Sequence, residues 1–183
     1  MELSDFTFTV LDKQTALLHF DCDDADINEF LQEDALNYQL QRIAKTYLFL
    51  DINSEIVAFF SISNDCLNDL GAVRGYSNTI WNRFHRKTFL PNDKRIRQYP
   101  AIKIGRLGVS KSYQRNGLAY QLMDFIKGWA LLDHKPGCRL LLLDAYNKER
   151  QVKYYQRNGF NLLLDGVTND RTRIMYFDLL RLQ

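Results

Sequence analysis

The stretch that most constrains the fold of this chain runs from Ile104 to Ala119. It begins with residues typical of a β-strand, passes through a polar turn, and ends in Gln114-Arg-Asn-Gly-Leu-Ala119, where a helix-like apolar pattern begins. Backbone N–H groups at a helix N-terminus have no acceptor within the helix, and together with the helix dipole they bind phosphate. The stretch therefore predicts a phosphate-binding loop, or else a surface loop that only begins a helix.

Three residues of this loop have individual expected roles. Gly117 lacks a Cβ that would obstruct an anion, and Ala119 keeps the next helical turn close to it. Arg115 can add a charge-assisted hydrogen bond. The motifs GxxxxGK[ST] and GxGxxG do not occur in the chain, so the usual mononucleotide and dinucleotide signatures are excluded.

The surrounding pattern alternates strands and helices. β-rich runs cover 6–11, 45–51, 56–63, 99–109, 140–143, 160–164 and 173–179, and helical spacing covers 116–132 and 148–157. Strands separated by single helices indicate an α/β fold in three layers. The helix from Asn116 joins two strands as a crossover, so those strands are expected to be parallel. Asn53-Ser54 predicts a hairpin turn.

Residues 71–98 break this rhythm and predict an insertion that is partly helical from Thr79 to Arg86. The insertion carries seven basic residues and one acidic residue, with four aromatic residues between them. Phosphate neutralisation and base stacking would suit RNA, and a charged, solvated loop is the alternative. The length of 183 residues predicts one domain, spanning 1–183, around this insertion.

Composition limits the classes of function. The chain has 24 Lys plus Arg against 22 Asp plus Glu, and its formal charge of +2 is not the basic excess of a protein that wraps nucleic acid. Cys22, Cys66 and Cys138 form no CxxC pair, which favours a reducing compartment over disulfides or a zinc site. No secretory signal is visible, and apolar runs such as Leu140 to Leu143 are far below the ~20 residues that cross a bilayer. We therefore expect a cytoplasmic protein with no membrane partner.

Residues 21–34 form an acidic segment with seven carboxylates and no basic residue. Its apolar residues recur near helical spacing behind Asp24, a good N-cap residue. The segment can be an acidic rim that attracts an amine-bearing acceptor, or an acidic first helical turn that suits the helix dipole. A calcium loop is excluded because Ala25 and Gln32 stand where an EF-hand needs ligands. The three histidines are scattered, so no metal site is expected.

A second informative stretch joins Asp144-Ala-Tyr-Asn147 to Tyr154-Tyr-Gln-Arg-Asn-Gly-Phe160. Asn147 ends an apolar strand and can hydrogen-bond an amide-containing ligand beside the sheet. Gly159 is expected to end the helix before it. Tyr154 and Tyr155 point about 100° apart, so one can pack inward while the other offers its hydroxyl to a cleft. The alternative is that both rings cover an edge of the core.

Together these stretches resemble the GNAT superfamily of acetyl-CoA-dependent N-acetyltransferases. Residues 114–119 are similar to its [QR]-x-x-G-x-[GA] loop, and Asn147 stands where the family has a strand-end Asn. Residues 154–160 are similar to its FY-x-x-x-GF segment, with Tyr154 in place of Phe. The resemblance implies a three-layer α-β-α fold whose mixed central sheet contains a splayed pair of parallel strands.

The resemblance also implies a site for acetyl-CoA. Backbone groups of Leu107 and Val109 would pair with the pantetheine arm, which Asn147 would face. The amine would attack the thioester directly in a ternary complex, and Tyr155 would protonate the departing thiolate. The pyrophosphate would be bound by N–H groups of the loop, which comprises Gln114, Arg115, Asn116, Gly117, Leu118 and Ala119.

A narrower resemblance lies upstream. Residues 20–31, FDCDDADINEFL, are similar to the FDCG-x-x-x-LN-x-FL opening of toxin-type GNAT enzymes, and residues 106–109 fit that branch. Those enzymes acetylate the α-amino group of aminoacyl-tRNA and are neutralised by a small antitoxin. Asp23 and Asp24 depart from the glycine of that motif, the insertion at 71–98 is longer than expected, and the charge is less basic than tRNA binding favours.

Three functions follow from this reading. The chain can be an N-acetyltransferase for an unidentified small or macromolecular amine, a toxin-type enzyme that acts on aminoacyl-tRNA, or a non-catalytic acyl-CoA-binding or interaction module. The corresponding partners are an amine, tRNA, an antitoxin protein and a second copy of the chain. No general base can be named from the sequence. An α-amino group, with a pKa of ~8, is already partly neutral and needs less help than a lysine.

Overall fold

The computed structural model describes residues 1–15, 19–68, 78–87, 98–132, 137–164 and 170–182. The strands are β1 (Thr7–Val10), β2 (Lys45–Leu50), β3 (Ile56–Asn68), β4 (Gln98–Val109), β5 (Leu140–Tyr146), β6 (Asn161–Leu162) and β7 (Thr172–Asp178). The helices are α1 (Ala25–Glu29), α2 (Ala35–Leu40), α3 (Asn78–Lys87), α4 (Leu118–Leu132) and α5 (Glu149–Arg157), and a π-helical turn (Phe30–Asp34) joins α1 to α2.

The strands described form an open mixed sheet in the order β1-β2-β3-β4-β5-β7-β6, in which β4 and β5 are parallel. The predicted α/β class, with a mixed sheet and a parallel pair, is confirmed. Strand β2 pairs antiparallel with β1 and β3, and β7 pairs antiparallel with β5 and β6. The chain divides into two compact units: the first comprises residues 1–64 and 104–127, and the second comprises residues 65–103 and 128–183.

In the first unit, the hairpin of β2 and β3 and the helical segment from α1 to α2 bury one apolar cluster. The pairing of β2 with β3 runs from Lys45 opposite Ile62 to Leu50 opposite Ile56. In the turn between them, the carboxylate of Asp51 accepts hydrogen bonds from backbone N–H groups, so the predicted hairpin is confirmed. The buried cluster consists of Leu11, Phe20, Phe30, Leu31, Ala35, Leu48, Ile56 and Phe59.

In the second unit, α3 packs its aromatic side against strand residues. Trp81 and Phe84 are almost fully buried, and the ring of Phe84 lies 5.2 Å from Tyr99 and 5.1 Å from Tyr176. The predicted helix over Thr79–Arg86 is confirmed. The other parts of the predicted insertion, 71–77 and 88–97, lie outside the described residues, so the insertion and the single-domain boundary stay predictions.

Some boundaries differ from those expected. The strand predicted over residues 160–164 is regular only at Asn161–Leu162, although the N–H of Leu163 still donates to the carbonyl of Ile174 at 3.0 Å. Helix α4 begins at Leu118 rather than at residue 116, because Gly117 has a positive φ. Within the described ranges, no helix is long and apolar enough to cross a bilayer.

Candidate active site

The loop that precedes α4 is anchored at both ends. Where β4 ends, the N–H of Ser110 donates to the carbonyl of Val57 at 2.8 Å. The next N–H, that of Lys111, donates to the carbonyl of Asp21 at 2.8 Å. At its other end, the first turn of α4 closes on the carbonyl of Gly117. These hydrogen bonds hold the backbone of the loop between two fixed points.

The backbone of this loop presents a run of donors. The N–H groups of Arg115, Asn116, Gly117 and Leu118 meet no acceptor in the part of the chain that the structure describes. The side chains of Arg115 and Asn116 are exposed, so they leave the donors accessible. Such groups at the positive end of a helix dipole attract an anion. The arrangement is the one that a phosphate-binding loop requires.

A glycine is favoured at position 117 by the backbone conformation, and not because a side chain there would clash with other protein atoms. Its φ is +79°, and a Cβ built on it would meet no heavy atom within 4 Å. An L-residue in this conformation is strained by roughly 1–2 kcal/mol. Arg115 already carries such a conformation, with φ of +66°. The sequence argument that the missing Cβ leaves room for an anion stays a prediction.

The last two residues of the predicted loop turn toward the protein interior. Leu118 is buried, as are Leu122, Met123 and Ile126 further along α4. Ala119 is half-buried. Because the apolar face of α4 packs into the core from its first residue, the exposed donors before it are held at a fixed position.

Gln114 has a structural role in this loop. Its Nε2 donates to the carbonyl of Cys22 at 2.9 Å and to the carbonyl of Val109 at 3.1 Å. Its backbone N–H donates to the carbonyl of Lys111 at 3.3 Å. Sequence reasoning placed the Gln114 N–H among the phosphate donors, whereas in the structure both its side chain and its N–H hold the loop to neighbouring backbone.

We expect Gln114→Ala to loosen this loop without removing any of its exposed donors. Losing the two side-chain hydrogen bonds should lower the free energy of unfolding by about 1–3 kcal/mol, because two half-buried carbonyls lose their donor. Chemical denaturation measures this change. Asn116→Ala, in the exposed part of the same loop, is the control and should leave the free energy of unfolding within about 0.5 kcal/mol. Equal effects of the two substitutions would contradict the anchoring role.

Several carboxylates of the acidic segment accept hydrogen bonds from nearby backbone N–H groups or form ion pairs with nearby cations. Asp24 caps α1 by accepting from the N–H of Ile27 at 3.3 Å, as predicted. Asp23 forms an ion pair with Lys111 at 2.6 Å, which raises the pKa of Lys111. Asp26 lies 3.5 Å from Arg106. These contacts favour the interpretation as an acidic first helical turn over that of an open rim.

The residues of the FDC…N motif form one local network. The N–H of Cys22 donates to Oδ1 of Asn28 at 2.9 Å, and Sγ of Cys22 lies 3.2 Å from the same oxygen. Nδ2 of Asn28 donates to Asp21 at 2.9 Å. The backbone N–H of Asp23 and this amide lower the pKa of Asp21. These hydrogen bonds therefore fix the segment that precedes α1 against Asn28 of that helix.

The end of β4 packs tightly against apolar side chains that neighbour this network. A Cβ on Gly108 would lie 3.0 Å from Phe59 Cε1 and 3.1 Å from both Ile27 and Phe20, so any larger residue would require these side chains to move by a few tenths of an ångström. Sequence reasoning named the flanking Leu107 and Val109 and missed Gly108, although a glycine inside a strand signals a close approach. Leu107 is half-buried and Val109 is buried. Their pairing with a pantetheine arm stays a prediction.

In the second unit, Asn147 follows β5 directly. Its Nδ2 donates to the carbonyl of Asp170 and its backbone N–H donates to the carbonyl of Arg171, each at 3.0 Å. The side chain is half-buried. These bonds fix the orientation of the amide at the strand end. Contact with a cofactor arm remains the prediction made from the resemblance.

Tyr155 lies on α5, which ends as predicted at a left-handed Gly159 with φ of +83°. The ring of Tyr155 lies 5.0 Å from that of Tyr154 and 6.1 Å from that of Phe160. Burial raises the pKa of Tyr155 to about 12. The phenol therefore keeps its proton throughout the neutral range, which a proton donor requires.

Comparison with known proteins agrees with this architecture. Residues 45–162 match the family model described as Acetyltransferase (GNAT) domain. Three solved structures are similar over nearly their whole length. A tyrosine-to-phenylalanine variant of KacT has a TM-score of 0.69 at 19% identity, covering 98% of this chain and 99% of that one. AtaT complexed with acetyl-methionyl-tRNAfMet has a TM-score of 0.66 at 19% identity, covering 97% of each chain.

The third structure is a tyrosine-to-phenylalanine variant of the AtaT toxin bound to the C-terminus of the antitoxin AtaR. Its TM-score is 0.64 at 17% identity, and the match covers 97% of this chain and 95% of that one. At these identities the three structures establish a shared fold.

Proposed function

This chain belongs to the GNAT acetyltransferase family, and from that premise we propose that it is a toxin-type enzyme that acetylates the α-amino group of aminoacyl-tRNA. As a member of the family it is an acetyl-CoA-dependent N-acetyltransferase, which moves an acetyl group to a primary amine. The observation that carries the proposal is the FDC…N network, in which Asp21, Cys22 and Asn28 interlock. The network involves the residues through which the sequence resembles the toxin-type branch.

In this proposal acetyl-CoA is held by backbone groups. The N–H groups of Arg115, Asn116, Gly117 and Leu118 bind the pyrophosphate, with Ala119 beginning the helical turn behind them. Gln114 positions that loop through its bonds to Cys22 and Val109. Leu107 and Val109 pair with the pantetheine arm, and Asn147 faces it. Backbone donors suit this task because they are already fixed before the ligand arrives.

The reaction that we propose is direct transfer in a ternary complex. The amine nitrogen forms a bond to the thioester carbon, and the electrons of the carbonyl shift to oxygen. When the C–S bond breaks, an electron pair on the oxygen re-forms the carbonyl, and sulfur takes the C–S bonding electrons and the proton of the Tyr155 hydroxyl. The amine nitrogen loses its extra proton to solvent, and solvent returns a proton to Tyr155. Because a thioester is already activated, positioning supplies most of the rate enhancement.

An α-amine acceptor fits this chemistry better than a lysine. A lysine with a pKa of ~10.4 is almost entirely protonated at neutral pH, whereas an α-amino group with a pKa of ~8 is partly neutral. An enzyme without a strong general base can therefore acetylate the α-amine. Similar solved structures include one that holds acetyl-methionyl-tRNA, which supports the same class of acceptor.

The proposal also extends to partners and location. A small antitoxin protein would bind and restrain the enzyme, as the AtaT toxin is bound by the C-terminus of AtaR. A second copy of the chain is another partner that we propose. We place the protein in the cytoplasm, where aminoacyl-tRNA and acetyl-CoA occur together.

The test is acetyl transfer from radiolabelled acetyl-CoA to a panel of acceptors. We expect label on the α-amino group of one or more aminoacyl-tRNAs, with no label on the same tRNA without its amino acid. Free amino acids, polyamines and lysine peptides should be at least about 100-fold poorer in kcat/KM. Preferential labelling of a small amine or of a lysine peptide would leave the chain an N-acetyltransferase and would reject the toxin-type proposal.

A further inference from the structure

We propose that the exposed side of α5, together with cations at both of its ends, forms the surface that binds the RNA body of the acceptor. This inference rests on the proposed function, because it assigns a contact surface to the tRNA. All the residues involved belong to the second unit. We name this surface the α5 track. It consists of Lys148, Arg150, Lys153, Arg157, Arg171 and Arg181.

The middle of the track follows from helical geometry. At about 100° per residue, Arg150, Lys153 and Arg157 fall within an arc of about 60° on one side of α5. All three side chains are exposed. By the same geometry Tyr155 points to nearly the opposite side, and its side chain is half-buried while those of the three cations are exposed. The helix thus separates a basic outer face from the face that carries the predicted proton donor.

At the N-terminal end of α5, two more cations lie over one aromatic ring. Nζ of Lys148 and Cζ of Arg171 are each 5.9 Å from the ring centroid of Tyr146. Both side chains are exposed and make no ion pair with any described residue. Tyr146 directly precedes Asn147, so this end of the track lies next to a residue predicted to face the cofactor.

At the C-terminal end, Arg181 continues the line of charge. Its Nη1 donates to the carbonyl of Gly159 at 3.0 Å, and its guanidinium lies 5.6 Å from the ring of Phe177. The hydrogen bond places this cation just beyond the last turn of α5. The track therefore extends beyond both ends of a helix that is itself about 13 Å long.

Among the residues that the structure describes, two acids lie beside the track. Glu149 forms an ion pair with Lys153, which lowers the pKa of Glu149, and Asp170 is the second acid beside the track. Asp144 is paired with Lys103, and the buried Asp178 is paired with Arg139. The six cations and two acids of these described residues leave a net charge of +4, whereas the entire chain has a formal charge of +2.

The chemistry of the track favours RNA over an acidic protein segment. Its exposed positions on α5 are Glu149, Arg150, Lys153, Gln156 and Arg157, which are all polar. A stable protein interface has an apolar or aromatic centre, which this face lacks. A line of guanidinium and ammonium groups matches a series of phosphates, and the mixed cation and tyrosine end can accommodate an unstacked base.

The experiment compares two triple variants that remove the same number of positive charges. One is Arg150→Gln, Lys153→Gln, Arg157→Gln on the track. The matched control neutralises three exposed cations of the first unit, Lys13→Gln, Arg42→Gln and Lys45→Gln. Binding of uncharged tRNA is measured by fluorescence anisotropy over a range of salt concentrations. Acetylation of aminoacyl-tRNA and of a small amine is measured on the same preparations.

We expect the track variant to bind tRNA at least about 10-fold more weakly, with the slope of log Kd against log salt reduced by about 2 to 3. The KM for aminoacyl-tRNA should rise by a similar factor, while kcat for a small amine and the Kd for acetyl-CoA stay within about twofold. The control should match the wild type. Equal behaviour of the two variants toward tRNA would overturn the inference.

The same assays distinguish a wrong surface assignment from a wrong proposed function. If the wild type acetylates no aminoacyl-tRNA but binds tRNA through the track, the function is wrong and the surface stands. If the wild type does not bind tRNA at all, the surface assignment is wrong. A track variant that loses binding to a poly-glutamate peptide and keeps tRNA binding would assign the surface to an acidic protein partner instead, and would also reject the inference.

Discussion

Replacing Gly117 with glutamate should abolish detectable acetyl-CoA binding, with an affinity loss of at least about 100-fold. Two effects act together. The new carboxylate stands beside the backbone donors that we propose for the pyrophosphate, so like charges repel. The glutamate must also adopt a φ near the +79° of Gly117, a backbone conformation that is strained for any residue with a side chain. If the backbone relaxes to relieve this strain, the N–H donors move. Isothermal titration calorimetry with acetyl-CoA measures the loss.

Two further variants separate these effects. Gly117→Ala introduces the backbone strain without the charge and should weaken binding much less than Gly117→Glu. Gly128→Glu places the same charge further along α4, where a Cβ also meets no atom within 4 Å, and should bind acetyl-CoA as the wild type does. Thermal unfolding confirms that each variant is folded. Unchanged affinity in a folded Gly117→Glu protein would reject the loop as the pyrophosphate site.

Replacing Tyr155 with phenylalanine should lower kcat by about 10²-fold to 10³-fold while the Kd for acetyl-CoA stays within about twofold. The substitution removes one hydroxyl and keeps the ring that contacts Tyr154 and Phe160. Loss of a positioned proton donor has an effect of this size. Steady-state kinetics together with calorimetry distinguish the two quantities. The matched control is Tyr154→Phe, which should leave kcat nearly unchanged.

The pH dependence gives a second measurement on the same pair. Because burial raises the pKa of Tyr155 to about 12, its hydroxyl is protonated below that value and loses its proton only as the pH rises through it. The ratio of wild-type to Tyr155→Phe kcat should therefore be constant between pH 7 and pH 10. A ratio that falls within this range would mean that the hydroxyl titrates earlier, and loss of acetyl-CoA binding in the variant would contradict the role of proton donor.

Local pattern predicted most of the elements because each depends on neighbours in the chain. The apolar spacing after Gly117 gave α4, and the N-cap at Asp24 is present because a carboxylate can reach an N–H three residues ahead. The pattern failed where long-range pairing decides. Strand β3 continues to Asn68 through polar residues that interrupt apolar alternation, and the π-helical turn at Phe30–Asp34 has no signal in a simple 3.6-residue period.

For the site, the sequence indicated which backbone would offer donors but not what holds that backbone. Residues 114–119 could be recognised because glycine and a following helical pattern imply unsatisfied N–H groups. That Gln114 reaches Cys22, 92 residues earlier in the chain, could not be read from spacing. The close packing of Gly108 against Phe20, Ile27 and Phe59 likewise involves residues that only the fold brings together.

By itself, then, the sequence determined the α/β alternation and the donor loop before α4, because these follow from short-range periodicity and conformational preference. The choice of Tyr155 as proton donor came from the resemblance to GNAT enzymes and stays a prediction. The tertiary structure decided that Gln114 anchors the loop, that the acidic segment folds onto its own backbone, and that Arg171 and Arg181 lie at the two ends of α5. Each of these depends on contacts between residues that are far apart in the sequence, and the spacing of residues along the chain does not predict such contacts.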